Sequence, residues 1–383
     1  MKKVIVWIFL CCLLLPITVN ANDNKNAEEA AAEDVQNGWL EQYDFSDVDK
    51  MLNDIFPKEK LTLRGMITDL VSGEAELSFE LVKQLIFDRF FYEIESSRSG
   101  IIHMLLLVIV AAIFANFSGV FQGTQVSEIS FYVLYMLLLS ICLNNFRVLV
   151  EAATANLEQL TDFMKLLGPV YFLAVAFATG SSTSIAFYQI VLLIIYLVEL
   201  LIQSFLIPLV QIYLIVRILG GLSPEIHLTK FAELIGTIVS WSLKTLLAGV
   251  IGFNVIQRLL APAIDSVKRS ILTKGSGAIP IVGDAISGTA EVVLGTAVLI
   301  KNGIGVAGMI VCLVVCLTPL IQMAVTTLMY KLVAALIQPI SDKRMVDCVS
   351  GMADGANMLL KIVFTTGVLF LITIAIVATT RGG

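Results

Sequence analysis

Five charged side chains, Glu199, Lys244, Asp284, Glu291 and Lys361, lie inside stretches that are otherwise apolar. A charge at the centre of a bilayer costs about 2.5–3.5 kcal/mol on insertion scales unless it is paired or wetted, so such residues mark polar paths and solute sites. Asp284 and Glu291 stand two turns apart on one helical face, and Lys244 and Lys361 each follow a leucine in matching phrases. All five are candidate conduit or midplane residues. More blandly, the lysines snorkel to an interface and the two carboxylates sit on an interfacial helix.

Other chemistry is sparse. With only His103 and His227, neither a zinc-protease helix nor a Ser-His-Asp triad is supported. Gly303-Ile304-Gly305-Val306-Ala307-Gly308 has dinucleotide-fingerprint spacing, but it opens an apolar helix with no strand before it, which suits close helix packing instead. Lys274-Gly275-Ser276-Gly277 lacks the upstream glycine and residue order of a phosphate loop. Gly180-Ser181-Ser182-Thr183-Ser184 reads as a polar break rather than a serine nucleophile. Cys142, Cys312 and Cys316 fall in apolar helices and Cys348 in a short polar loop, with no paired metal spacing, so the thiols are packing residues. The expectation is a non-enzyme with no catalytic residue, cofactor or metal.

The elements that hold these residues are membrane helices. From Ile185 to Leu222 only Glu199 and Arg217 are charged, over nearly twice the roughly 20 residues that span a bilayer. The stretch reads as two spans folded back near Gln203 to Pro208. Composition agrees, at 57% hydrophobic and 15% charged residues, against about 25% charged in soluble domains.

Lys2 and Lys3, an apolar run from Val4 to Leu15, and Val19-Asn20-Ala21 describe a signal peptide (1–21) cleaved after Ala21, with an uncleaved anchor as the alternative. Residues 22–100 carry most of the 31 acidic side chains and form an extracytoplasmic segment. Within it, Ser46 caps a short helix over 46–56 that Pro57 ends. Apolar positions 79, 82, 86, 90 and 94 predict an amphipathic helix over 78–96, which packs on its own bundle, lies in the interface or docks a partner.

Residues 101–383 form the polytopic domain, with spans near 101–120, 130–149, 184–203, 206–222, 232–256, 303–318, 319–339 and 358–379. Counting from an exported N-terminus leaves 150–168 an outer loop and puts the connection after 257 in the cytoplasm. Arg258, Lys268, Arg269 and Lys274 place that connection there independently. Pro169 to Gly180 and Pro280 to Ile300 read as broken or re-entrant elements.

Pro169 pairs with Pro280, and Pro208 with Pro319, at the same separation. The latter two sit in Leu206-Ile207-Pro208-Leu209-Val210-Gln211 and Leu317-Thr318-Pro319-Leu320-Ile321-Gln322. These four helix-break prolines suggest duplicated units, 168–257 and 279–379, of opposite orientation, the architecture of many transporters. The fold class is therefore all-α: a polytopic helical membrane protein of about eight spans, two broken segments and an inverted repeat.

The order of several segments also carries a resemblance. The signal, the acidic stretch ending in Leu77-Ser78-Phe79-Glu80-Leu81, Ile279-Pro280-Ile281-Val282-Gly283-Asp284, Tyr330-Lys331-Leu332 and Leu336-Ile337-Gln338-Pro339-Ile340-Ser341-Asp342 together resemble the stage III sporulation protein AE family across the mature chain. That resemblance implies a multi-pass subunit in the mother-cell membrane around the forespore, within a secretion-like channel complex needed for sporulation. The implied partners are the other membrane proteins of that complex, with a separate ATPase and further copies of the chain as candidates; the lipid bilayer is a partner and nucleic acid is not. It transfers no catalytic residues. An autonomous secondary transporter, with a midplane site between inverted repeats, is the competing reading.

Overall fold

The computed structural model describes residues 44–55, 62–72, 124–179, 183–222, 228–275 and 287–378, with scattered positions between 87 and 113. The expected signal peptide, Pro280, Asp284 and most of the 78–96 helix lie outside the described residues. Among those described, every element is a helix: α1 (Ser46–Ile55), α2 (Leu63–Ser72), α3 (Thr124–Thr179), α4 (Thr183–Leu201), a π turn (Ile202–Leu206), α5 (Ile207–Leu222), α6 (Thr229–Gly275), α7 (Ser287–Ile337) and α8 (Lys343–Ala378).

α1 matches the expected short helix, but its cap is Asp44, whose Oδ1 accepts the Ser46 N–H at 3.0 Å. The Ser46 bonds hold this exposed carboxyl below its ordinary pKa. Asp49 ties the two short helices together by accepting the Leu63 N–H at 2.6 Å. Burial pushes its carboxyl up, and that bond pulls it partly back.

Among the described residues, five helical runs are long and apolar enough to cross a membrane: Phe131–Ala178, Gln189–Gly220, Thr229–Gln257, Gly295–Ile337 and Lys343–Val377. Several segments expected to be separate are therefore joined. The outer loop at 150–168 is helical and belongs to α3. No reversal occurs between Gln203 and Pro208: the chain stays helical through one π turn, where the Ile207 N–H reaches back to the Ile202 carbonyl. The extra residue of a π turn absorbs the donor that Pro208 lacks. Pro169 and Pro319 lie inside α3 and α7, so three of the four proposed helix breaks are not breaks; packed neighbours tolerate a proline within an apolar helix.

α8 is the central rod, packed on α3, α5, α6 and α7. Its direction is pinned at both ends. Arg344 lies 3.8 Å over the Phe131 ring at the start of α3, and Ile374 accepts the Tyr171 hydroxyl at 3.3 Å near its end. α3 and α8 are therefore parallel, and the turn at 338–342 makes α7 antiparallel to α8. In that turn Asp342 accepts the Arg344 N–H at 2.8 Å and caps α8. Burial raises the Asp342 carboxyl, but the Arg344 bonds and charge outweigh it and leave a net lowering.

Two apolar cores stack along the bundle. The one nearer the turn holds Tyr135, Leu214, Ile235, Val333 and Met352; the other holds Phe163, Ile195, Ile304, Val311 and Phe370 together with Leu52, Leu63 and Ile67 of α1 and α2. The N-terminal pair thus docks at the end of the bundle where α3 and α8 finish. Asn254 of α6 lies 3.4 Å from Thr373 near the same end. The basic stretch of α6 beyond Asn254 and the acidic N-terminal helices therefore share one end, whereas signal-peptide and positive-charge reasoning had put them on opposite sides.

Candidate functional site

Of the five charges singled out in the sequence, Asp284 lies outside the described residues and the other four stand on four different helices. Lys244 and Lys361 stand exposed on α6 and α8. Glu291 falls in the first turns of α7, with its side chain outside the described residues. Glu199 is the informative one: largely buried on α4, it meets Lys165 of α3 at 3.3 Å, and the same ammonium reaches Asp162 at 3.4 Å.

Lys165 belongs to a pattern hidden while 150–168 was read as a loop. Asn144, Arg147, Glu151, Glu158, Asp162 and Lys165 are all exposed and recur at three- and four-residue spacing, with Ala155 filling the one gap. They form a single stripe on α3. Its 21-residue reach amounts to about 32 Å of helix, against the roughly 30 Å hydrocarbon core of a bilayer. Arg147 is paired with Glu151 at 2.7 Å.

The height of the stripe is set by contacts across the bundle. Lys165 is level with Glu199. Near the other end, a Cβ placed on Gly355 would lie 3.0 Å from Phe146 and 3.6 Å from Leu214. The stripe therefore runs beside residues 199–214, a segment with no charge after Glu199, whose Leu200, Leu201, Phe205 and Ile212 are exposed. At one height the bundle presents hydrocarbon on one flank and charge on the next.

Sequence reasoning also missed the polar clamps between rods. Asn156 donates to the Val315 carbonyl at 2.9 Å, Tyr135 to the Ile218 carbonyl at 2.9 Å, and Asn145 to the Tyr330 hydroxyl at 2.8 Å. Nothing in local sequence marks these residues, because each bond joins distant helices. Cys348, expected in a loop, is buried within α8; Cys142, Cys312 and Cys316 are buried and free.

Crevices at the height of Glu199 are small. One beside Val191, Val198, Asn254 and Thr373 has a volume of about 10 Å³, and one beside Leu167, Tyr171 and Ile195 about 20 Å³. Each has room for a water molecule and no more. The Glu199 pair is correspondingly modest in worth, since Lys165 is half exposed and pairs of that kind contribute about 0–1 kcal/mol. Glu199→Gln is expected to lower the melting temperature of the purified protein by less than about 4 °C, read by a thermal-shift assay; a larger drop would mean the carboxylate organises more than Lys165.

Stage III sporulation protein AE of Bacillus subtilis (strain 168) is 22% identical over 317 residues, covering 82% of this chain and 79% of that protein. No solved structure matches. The family description "Stage III sporulation protein AE" fits residues 61–381, from just before α2 to beyond the end of α8. Because that match runs through the docked α2 and every membrane-length helix, the chain belongs to the stage III sporulation protein AE family.

Proposed function

We propose that this sporulation protein is a non-enzymatic membrane subunit of a secretion-like channel complex between mother cell and forespore. It sits in the mother-cell membrane around the forespore, its N-terminal segment faces the intermembrane space, and its bundle contributes to the conduit. Other membrane proteins of the complex are its partners, and a separate ATPase supplies energy.

The observation that carries this reading is the docking of α1 and α2. Leu63 and Ile67 are fully buried against the bundle, while Asp47 and Lys50 point outward with side chains 70% and 75% exposed. A folded, charged platform fixed to one end of a membrane bundle suits attachment of other proteins. An autonomous transporter finds less support: the two crevices near Glu199 among the described residues, of about 10 and 20 Å³, each hold no more than a water molecule.

Leu63→Asp with Ile67→Asp buries two charges at the α2 contact and is expected to release α2 from α7. Spore formation and recovery of partner proteins with the tagged chain should both be lost, with the bundle still inserted in membranes. Normal sporulation with α2 released, shown by its new protease sensitivity, would overturn the subunit reading. So would substrate uptake by the purified chain alone in vesicles.

A further inference from the structure

The geometry points to a water-filled cleft within the single chain, floored by α8 and walled by α6, that opens at the end of the bundle opposite α1 and α2 and takes small hydrated polar solutes. The inference rests on the conduit reading above and adds which surface of the bundle carries the polar route.

The floor is a polar row on the central rod. Asp347, Ser350, Asp354, Asn357 and Lys361 recur at three- and four-residue spacing, so they share one face of α8. The first four are half-buried and Lys361 is exposed, whereas Met345, Met352, Ala356 and Leu359 on the opposite face are sealed in the core. From Asp347 to Lys361 the row runs about 21 Å along the helix. Beyond Lys361 the same face continues through the apolar side chains Val368, Ile372 and Ala375, which close the inner end. A second row forms the wall: Glu233, Thr237, Ser240 and Lys244 share one face of α6. A Cβ on Gly236 would lie 3.1 Å from Met358, so Thr237 and Asn357 flank one contact and the two rows stand at one height. Asn254 meets Thr373 further along both helices, so α6 and α8 run in the same direction. In that arrangement the helical register turns both rows to the same side of the Gly236–Met358 contact.

Energetics decide what fills the space between the rows. At the same height the outward side chains Leu234, Ile238 and Trp241 of α6 and Ile215 and Leu219 of α5 are exposed hydrocarbon, so this part of the bundle lies at membrane depth. Charges there persist where they are wetted or paired, and the pair Lys230–Glu233 covers only the mouth. Behind the floor, the charges of Asp354 and Arg217 both act on Tyr213. The Arg217 Nε is buried with no hydrogen-bond partner among the described residues, and water reaching Asp354 supplies an acceptor for it. Carboxylates and ammonium groups both line the cleft, which therefore selects weakly by sign and suits small hydrated solutes.

The test uses the full chain in open membrane sheets from sporulating cells. The cysteines at 142, 312, 316 and 348 are buried, so single cysteines can be added at Ser240, Ser350 and Asn357 in the cleft, and at Leu234, Ile238 and Trp241 on the outward face. The probe is a charged, membrane-impermeant thiosulfonate. Expected are rates at 240, 350 and 357 at least about tenfold above those at 234, 238 and 241. Equal rates in the two sets, whether lipid or a partner protein covers the rows, overturn the cleft. A second variant, Ser350→Leu with Asn357→Leu, lines the floor with hydrocarbon. It is expected to slow labelling of a cysteine at 240 and to abolish spore formation, with the chain at normal abundance and α2 still protease-resistant. Normal spore formation with slowed labelling at 240 would overturn the cleft as a solute route. These variants leave α2 docked and its partners recoverable, so their failure removes the cleft alone, whereas the subunit reading fails on the α2 variants.

Discussion

Gly355→Leu is expected to empty the membrane of folded protein. Gly351 and Gly355 stand one turn apart on α8 and form the small-residue surface on which the bundle closes. At Gly355 a Cβ alone would lie 3.0 and 3.5 Å from two atoms of the Phe146 ring and 3.6 Å from Leu214, so α3 and α5 both press on the site. Three more carbons have nowhere to go, and overpacking of a core usually costs about 1–3 kcal/mol, more when two neighbours must move. We expect a loss above about 3 kcal/mol, read as disappearance of the protease-resistant form on immunoblots of membranes. Gly249→Ala on α6 is the control. A Cβ there would meet nothing within 4 Å, so the variant should accumulate normally. Phe146→Ala should restore Gly355→Leu, because the two positions touch and their effects are coupled. Full accumulation of Gly355→Leu alone would mean α8 does not pack on α3 as described.

Topology supplies an all-or-none prediction. A cysteine at Asn53 of α1 and one at Lys268 of α6 should label from the same side of the membrane, and cysteines at Lys230 and Asp342 from the opposite side. α1 and α2 share a core with the last turns of α8, Asn254 is level with Thr373, and the α7–α8 turn lies at the far end beside Phe131. Labelling of 53 and 268 from opposite sides would contradict the docked position of α1 and α2. The shared end also sets two sequence rules against each other. Export expected from the signal-like first residues would put it outside, whereas Arg258, Lys268, Arg269 and Lys274 argue for the cytoplasm. Packing decides that the two travel together; labelling decides the side.

Much of this was legible in the residues. Uninterrupted apolar stretches identify membrane helices because backbone groups in lipid must be satisfied within the segment, and the segment order already resembled the family the comparison identifies. The short helix after Asp44 was foreseen from its acidic first turn. What failed has a common cause. Prolines were read as stops, yet α3 and α7 pass through Pro169 and Pro319, because tertiary neighbours outweigh a local penalty of about 3 kcal/mol. Most of the charged run was read as a loop over 150–168, though its three- and four-residue spacing was visible. Polarity alone was allowed to outvote periodicity. The clamps at Asn156 and Tyr135 join residues 159 and 83 positions apart, a separation that no local pattern encodes.

Leu320 is, among the described residues, the one side chain that packs against both apolar cores. Cooperativity between the two tiers thus passes through the helical rods rather than through a shared interior. Such a bundle is expected to open as two foldons, with amide hydrogens around Phe163 and Ile304 exchanging as one class and those around Leu214 and Met352 as another in a hydrogen-exchange measurement. Detachment of α1 and α2 loosens the first class and leaves the second closed.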